Sequence, residues 1–198
     1  MPADARAASI REGLAAKAAA ALALALIFSL VFSLGAAASV AVPLTFDELH
    51  ERADLIVEGR VLRVTSQARA ARGRMLVETQ ISLEVTEVHR GAAVSELVFT
   101  LPGGRVGDRQ RVVVGSPTVK PREEIVAFLE LHEGTFRLVG LAQGLYRVNR
   151  LRDGRAFAVR DLHDVALHRR GALEPGGRES IPLSELRAEI RRAGAKRP

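Results

Sequence analysis

The sequence contains no cysteine and no tryptophan, and its other aromatic residues are one tyrosine and seven phenylalanines. Without cysteine, the chain has no disulfide, thiolate metal site, cysteine nucleophile or lipid-modified cysteine. Small β-domains that bind sugars or single-stranded nucleic acid rely on exposed aromatic side chains. The shortage of aromatic residues therefore argues against both ligands, and we expect no nucleic-acid partner.

Catalytic signatures are missing as well. The sequence has neither the G-x-S-x-G turn of a serine hydrolase nor the H-E-x-x-H helix of a zinc protease. Glu123 and Glu124 are adjacent and would point to opposite faces of a strand, so they cannot act as an acid and base pair. We interpret the chain as non-enzymatic, with no cofactor and no metal.

Charge is abundant but mixed. The chain has 29 Lys and Arg against 23 Asp and Glu, a formal net charge of +6. Acidic and basic residues alternate along most segments, which is typical of a solvated surface and not of a stripe that follows phosphates.

The N-terminal segment, residues 1–41, has the features of a secretory signal peptide. Arg6, Arg11 and Lys17 precede an uncharged stretch over residues 18–46, which ends in small residues. Cleavage after Ala41 would release an exported protein, periplasmic or extracellular. The alternative is an uncleaved anchor, since the apolar run approaches the length that spans a membrane; the protein would then be held in the inner membrane and contact it only there.

Residues 42–160 show the pattern of a mainly β domain. Val77, Thr79, Ile81, Leu83 and Val85 alternate with polar residues, which predicts a long strand with one buried face. Gly134 and Gly154 mark two hairpin turns. We expect a small antiparallel barrel or sandwich of six or seven strands, with a mobile loop over residues 66–74.

A short helix is predicted at each end of this domain. Thr45 and Glu48 form a capping box before a helix at about residues 46–53. Residues 161–198 are predicted to be a polar surface excursion followed by a helix that packs on the β domain through Leu183, Leu186 and Ile190.

The stretch LPGGRVGDRQRVVVGSPTVKP, residues 101–121, is the candidate binding loop. Its backbone amides and guanidinium groups could hold an anion. The alternative is a β-connection whose glycines adopt positive φ, and this interpretation is favoured because the loop leads into a strand and not into a helix N-terminus. The candidate residues are Gly103, Gly104, Arg105, Arg109 and Arg111.

A second group of candidates lies in DLHDVALHRR. Asp161, His163 and His168 could converge in a loop as metal ligands or as the site of an exported enzyme of unfamiliar type. Their spacing matches no recognised site, and exposed polar residues of this kind are usually only solvated. We keep this enzyme as an alternative.

The segments ADLIVEGRVLRV, ISLEVTEVHRG, LPGGRVGDRQRVVVGSPTVKPREEIVAFLE and LVGLAQGLYRV together resemble an uncharacterised family of exported bacterial proteins with a signal peptide and one mainly β domain. The similarity covers most of residues 43–160. The first two segments also resemble the start of netrin-like domains, which are OB-type barrels. Some netrin-like domains inhibit metalloproteinases through an N-terminal cysteine, which this chain lacks.

These observations predict an exported, non-enzymatic binding or accessory module, whose partner is an unidentified exported or cell-surface protein. The second resemblance implies an alternative, a protease-inhibitor-like module of the netrin-like type.

Overall fold

A computed structural model describes residues 40–71, 73–169 and 172–196. Most of the expected signal segment, residues 1–39, lies outside the described residues. The described residues are mainly β-structure with two α-helices, which confirms the expectation of a mainly β domain. Neither helix is both long enough and apolar enough to cross a membrane.

The helices are α1 (Phe46–Arg52) and α2 (Leu183–Ala195), and a 3-10 turn covers Leu141–Gly144. The strands in chain order are β1 (Val40–Ala41), β2 (Leu55–Ala71), β3 (Arg74–Arg90), β4 (Glu96–Pro102), β5 (Gly104–Val106), β6 (Arg109–Arg111), β7 (Glu124–His132), β8 (Thr135–Leu138), β9 (Leu145–Arg150), β10 (Ala156–Asp161), β11 (Ala166–Arg169), β12 (Ala172–Pro175) and β13 (Arg178–Pro182).

Five of these strands close into a ring. Strand β2 pairs with β3, β3 with β4, β4 with β8, β8 with β7, and β7 again with β2. Only the β4–β8 pair is parallel, and it comprises two register pairs. Strands β9, β10 and β13 extend the same sheet outward from β7, giving eight strands in all.

Two hydrophobic cores lie on opposite sides of this sheet. All five ring strands supply the first core, which contains Phe99 and Leu83. The second core lies between the outer face of β2, β7, β9 and β10 and the two helices, and it contains Phe128 and Leu186.

Strand β7 belongs to both cores. Ile125, Ala127 and Leu129 face the first core, whereas Val126 and Phe128 face the second. Because successive side chains of a strand point to opposite faces, a strand buried on both faces must be apolar at every position. This requirement explains the unbroken run IVAFL.

Several local predictions are confirmed. The capping box of α1 is present, since Glu48 N–H donates to Thr45 Oγ1 and Thr45 N–H donates to the Glu48 carboxylate. The two hairpins join β7 to β8 and β9 to β10. Helix α2 buries Leu183, Leu186 and Ile190 as expected.

Two predicted irregular regions instead form strands: the first lengthens β2 and β3, and the second adds strands, so that the number of strands exceeds the six or seven expected. Strands β2 and β3 continue pairing as far as Ala71 and Arg74, where a mobile loop was expected. Strands β11, β12 and most of β13 lie in the segment expected to be a polar excursion. Pairing satisfies the backbone in both places. In the second region Leu162, Val165 and Leu167 also form a small buried cluster with Ala142, so this segment is not only a polar excursion.

Burial of Tyr146, the only tyrosine of the chain, predicts an unusual titration. Its ring packs on Phe128 with centroids 6.0 Å apart, and burial raises the pKa of its hydroxyl to about 12, although the nearby Arg160 guanidinium acts to lower it. Above the usual value of 10.0 the unfolded state ionises first, so the stability contributed by the neutral phenol is lost between pH 10 and about 12.

A spectrophotometric titration measures the pKa of Tyr146 directly, because the chain has no tryptophan to obscure the tyrosinate absorbance. We expect tyrosinate to appear only near pH 12 or together with unfolding. A midpoint near 10 in a protein that circular dichroism shows to be folded would contradict the burial of Tyr146.

Candidate functional site

The predicted binding loop folds as a hairpin of its own. Strands β5 and β6 form a separate two-stranded sheet, in which Gly104 pairs with Arg111, Arg105 with Gln110 and Val106 with Arg109. This register leaves residues 107 and 108 as a two-residue turn, and Gly107 has a φ of 56°.

The register separates the three candidate arginines. Side chains alternate between the two faces of a hairpin, so Arg109 and Arg111 share one face while Arg105 lies on the other with Gln110. All three residues are exposed. They therefore do not form a single anion cradle with Gly103 and Gly104.

The two candidate glycines are required by the packing of the hairpin base. Gly104 has a φ of 135°, and a Cβ placed there would lie 2.3 Å from Thr79 Oγ1 and 2.5 Å from Ser66 Oγ. Those hydroxyls are 2.9 Å apart, and Thr79 Oγ1 donates to the carbonyl of Gly103 at 2.8 Å. Gly103 has a φ of 93°. These contacts confirm the interpretation of the glycine pair as a β-connection with positive φ.

Next to the hairpin lies a concave surface rich in arginine. A cavity of about 580 Å³ is lined by side chains of β2, β3, β6 and β8 and of the β7–β8 turn. We call it the arginine groove and define it by Arg69, Arg74, Arg111 and Arg137.

The groove carries more positive than negative charge. Its two glutamates are Glu78 and Glu133, and Arg69 pairs with Glu78 at 3.4 Å. The other three arginines of the groove have no ion-pair partner among the residues that the structure describes. Guanidinium groups without a protein partner are free to bind a carboxylate in two-point fashion.

A second polar site is buried against helix α2. Strand β2 contributes Glu58, strand β3 contributes Glu87 and His89, and α2 contributes Arg187; we call these four residues the Glu58 cluster. The side chains of Glu58 and His89 are only 4% and 3% exposed, whereas that of Glu87 is 42% exposed. Ile56 packs in the second core and Val57 in the first. Because side chains alternate along a strand, Glu58 lies on the face of β2 that is turned towards the second core.

Arginine compensates the buried carboxylate. Arg187 Nε and Nη2 donate to Glu58 Oε2 and Oε1, each at 3.0 Å, and Arg187 Nη2 is 3.2 Å from Glu87 Oε2. Burial acts to raise the pKa of Glu58, but the neighbouring imidazole of His89 and the guanidinium of Arg187 outweigh it and hold the pKa below its usual range. Glu58 is therefore a buried carboxylate at neutral pH.

A cavity of about 450 Å³ opens beside this carboxylate. Its lining includes Glu58, Glu87 and Arg187 together with Glu124 and Arg150, which pair at 2.7 Å. The Glu58 cluster is thus buried on one side and reached from solvent on the other.

Sequence reasoning missed the Glu58 cluster. Two signals were present: Glu58 is a charge within the apolar run DLIVEGRVL, and Glu87 and His89 have the i, i+2 spacing that places two side chains on one face of a strand. Neither signal identifies Arg187, which is 129 residues from Glu58 along the chain.

The other candidates from the sequence lie elsewhere. Asp161 ends β10, and its Oδ1 is 2.8 Å from Nδ1 of His163; both side chains are exposed. His168 is exposed on β11. Among the described residues, the three do not present ligand atoms within reach of one another, whereas Glu58, Glu87 and His89 do.

Comparisons with protein-family models, with curated proteins and with solved structures find no match to this chain.

The close approach at Gly104 predicts a large effect of a single methyl group. We expect Gly104→Ala to lower the free energy of unfolding by about 2–4 kcal/mol, because the new Cβ overlaps two hydroxyls at a positive φ. Gly107→Ala is the matched control: it also has positive φ but open space around it, so we expect a loss of about 1 kcal/mol.

Urea unfolding of the two variants and the parent chain provides the comparison. Equal losses in the two variants would mean that the base of the hairpin is not packed against Ser66 and Thr79.

Proposed function

We propose that this chain is an exported, non-enzymatic binding module built on a small β-barrel of the OB type, and that its arginine groove holds an acidic segment of an exported or cell-surface protein. The observation that carries this proposal is the group of three arginines without ion-pair partners around one concave surface, Arg74, Arg111 and Arg137.

The ring of strands supports the barrel interpretation. OB-type barrels have five strands, and five strands of this sheet return on themselves around a single apolar core. The arginine groove lies at the edge of this ring, between the β2–β3 hairpin and the β7–β8 turn.

The groove is built mostly on regular structure. Arg74 begins β3, Arg111 ends β6 and Arg137 lies within β8. Strands fix the backbone of all three residues, so less conformational entropy is lost when their guanidinium groups bind a ligand. Three separated guanidinium groups suit several carboxylates along one peptide better than a single small anion.

A protein partner is favoured over nucleic acid. The exposed large hydrophobic side chains of the described residues include no aromatic one. Single-stranded nucleic acids depend on stacking with exposed aromatic rings, so the groove lacks that element of recognition.

A protease-inhibitor-like function is the second candidate, and the exposed β5–β6 hairpin is the feature that favours it. Its residues Arg105, Arg109 and Gln110 are exposed, and its turn at Gly107 has open space around it. A projection of this kind could enter the cleft of a protease. Such inhibition would depend on the turn of the hairpin and not on Arg74 or Arg137.

Poly-glutamate labelled with a fluorophore tests the binding proposal, with poly-glutamine as the uncharged control. We expect the parent chain to bind poly-glutamate in a salt-dependent manner and not to bind poly-glutamine. The variant Arg74→Ala/Arg111→Ala/Arg137→Ala should bind at least about tenfold more weakly, because hydrogen bonds between charged groups are lost.

The matched control is Arg63→Ala/Arg152→Ala/Arg191→Ala, which removes the same charge from exposed residues elsewhere. It should bind within about twofold of the parent, since only the long-range field changes. Equal weakening in both variants would show that net charge, and not the groove, attracts the ligand. That result would overturn the proposal.

A further inference from the structure

The geometry points to a zinc site at a different place from the arginine groove. We propose that Glu58, Glu87 and His89 bind one Zn²⁺ ion. One potential ligand atom from each of these side chains lies within 4.8 Å of the other two. The site does not depend on the proposed binding function of the groove.

His89 supplies the observation that points to a ligand. Its side chain is 3% exposed, and its Nε2 has no hydrogen-bond partner. The nitrogen is 3.7 Å from Glu58 Oε2, which is too long for a hydrogen bond. A buried ring nitrogen without a partner is unfavourable, and a metal ion between it and the carboxylate would satisfy it.

The set of donors selects the class of metal. One imidazole and two carboxylates are typical ligands of Zn²⁺, whereas Mg²⁺ and Ca²⁺ prefer oxygen alone. Bond lengths near 2.0 Å in a tetrahedron place ligand atoms roughly 3.3 Å apart. The separation of 3.7 Å between His89 Nε2 and Glu58 Oε2 is a few tenths of an ångström above that distance.

Access and a fourth ligand come from the neighbouring cavity. Glu58 and Glu87 line this space of about 450 Å³, and the Glu87 side chain is 42% exposed. An ion can therefore reach the carboxylates from solvent, and a water molecule from the cavity completes four-coordination.

The contacts of Arg187 with Glu58 and Glu87 leave room for a metal ion on the same two carboxylates. Its guanidinium contacts both oxygens of Glu58 and one of Glu87, yet each carboxylate oxygen has a second lone pair. Outer partners of this kind fix the orientation of metal ligands. Arg150 also reaches Glu58, with Nη2 4.0 Å from Oε1. The lining of the cavity as a whole has four carboxylates and three guanidinium groups, and this net charge of −1 favours a divalent cation.

Equilibrium dialysis of the protein, purified without a histidine tag, against ZnCl₂ tests the proposal. We expect one Zn²⁺ per chain, a rise in the unfolding temperature with Zn²⁺, and with Co²⁺ the visible absorption of a tetrahedral complex. His89→Gln and Glu87→Gln should each weaken Zn²⁺ binding by at least about 100-fold, because a direct ligand matters more than an outer partner.

His163→Gln is the control, since His163 also contacts a carboxylate but is 64% exposed on the surface. It should bind Zn²⁺ as tightly as the parent chain. If His89→Gln does not fold, the half-exposed Glu87→Gln decides the question. Retention of stoichiometric Zn²⁺ in Glu87→Gln, loss of it in His163→Gln, or no stoichiometric Zn²⁺ in the parent chain would overturn the proposal.

Discussion

Burial of both faces of strands β2 and β7 is the constraint on which the rest of the structure depends. Strand β7 turns Ile125 and Leu129 into the first core and Phe128 into the second. The ring therefore cannot be stable alone with its outer face in water, because that face is apolar. Helices α1 and α2 cover it, which explains why both ends of the domain are helical.

The same constraint makes Glu58 the critical charge of the molecule. Successive side chains of β2 point to opposite faces, with Ile56 in the second core and Val57 in the first. Glu58 is therefore directed towards the region that the helices cover. An unpaired carboxylate there would cost several kcal/mol. Arg187 of α2 supplies the opposite charge, and the helix is therefore held to the sheet by Leu186 and Ile190 and also by an ion pair. The proposed zinc site uses the face of this cluster that opens to solvent.

Short sequence patterns correctly predicted those parts of the fold that depend on residues adjacent along the chain. The alternation from Val77 to Val85 and the capping box at Thr45 each depend on a few adjacent residues, and each is found. Ring closure could not be predicted in this way, because it rests on the pairs Phe99 with Phe136 and Thr100 with Arg137, which are distant in sequence. The Glu58 cluster is similarly nonlocal. The sequence favoured a β-connection for residues 101–121, but only the register of β5 and β6 shows that Arg105 faces away from Arg109 and Arg111.

A double-mutant cycle on Glu58 and Arg187 tests the account most directly. Urea unfolding of the parent chain, Glu58→Gln, Arg187→Gln and the double variant would be measured with a chelator present, so that metal binding does not contribute. We predict a coupling free energy of at least about 2 kcal/mol, so that the double variant loses less stability than the sum of the losses in the two single variants. A coupling near zero would contradict the claim that this pair joins helix α2 to the buried face of the sheet.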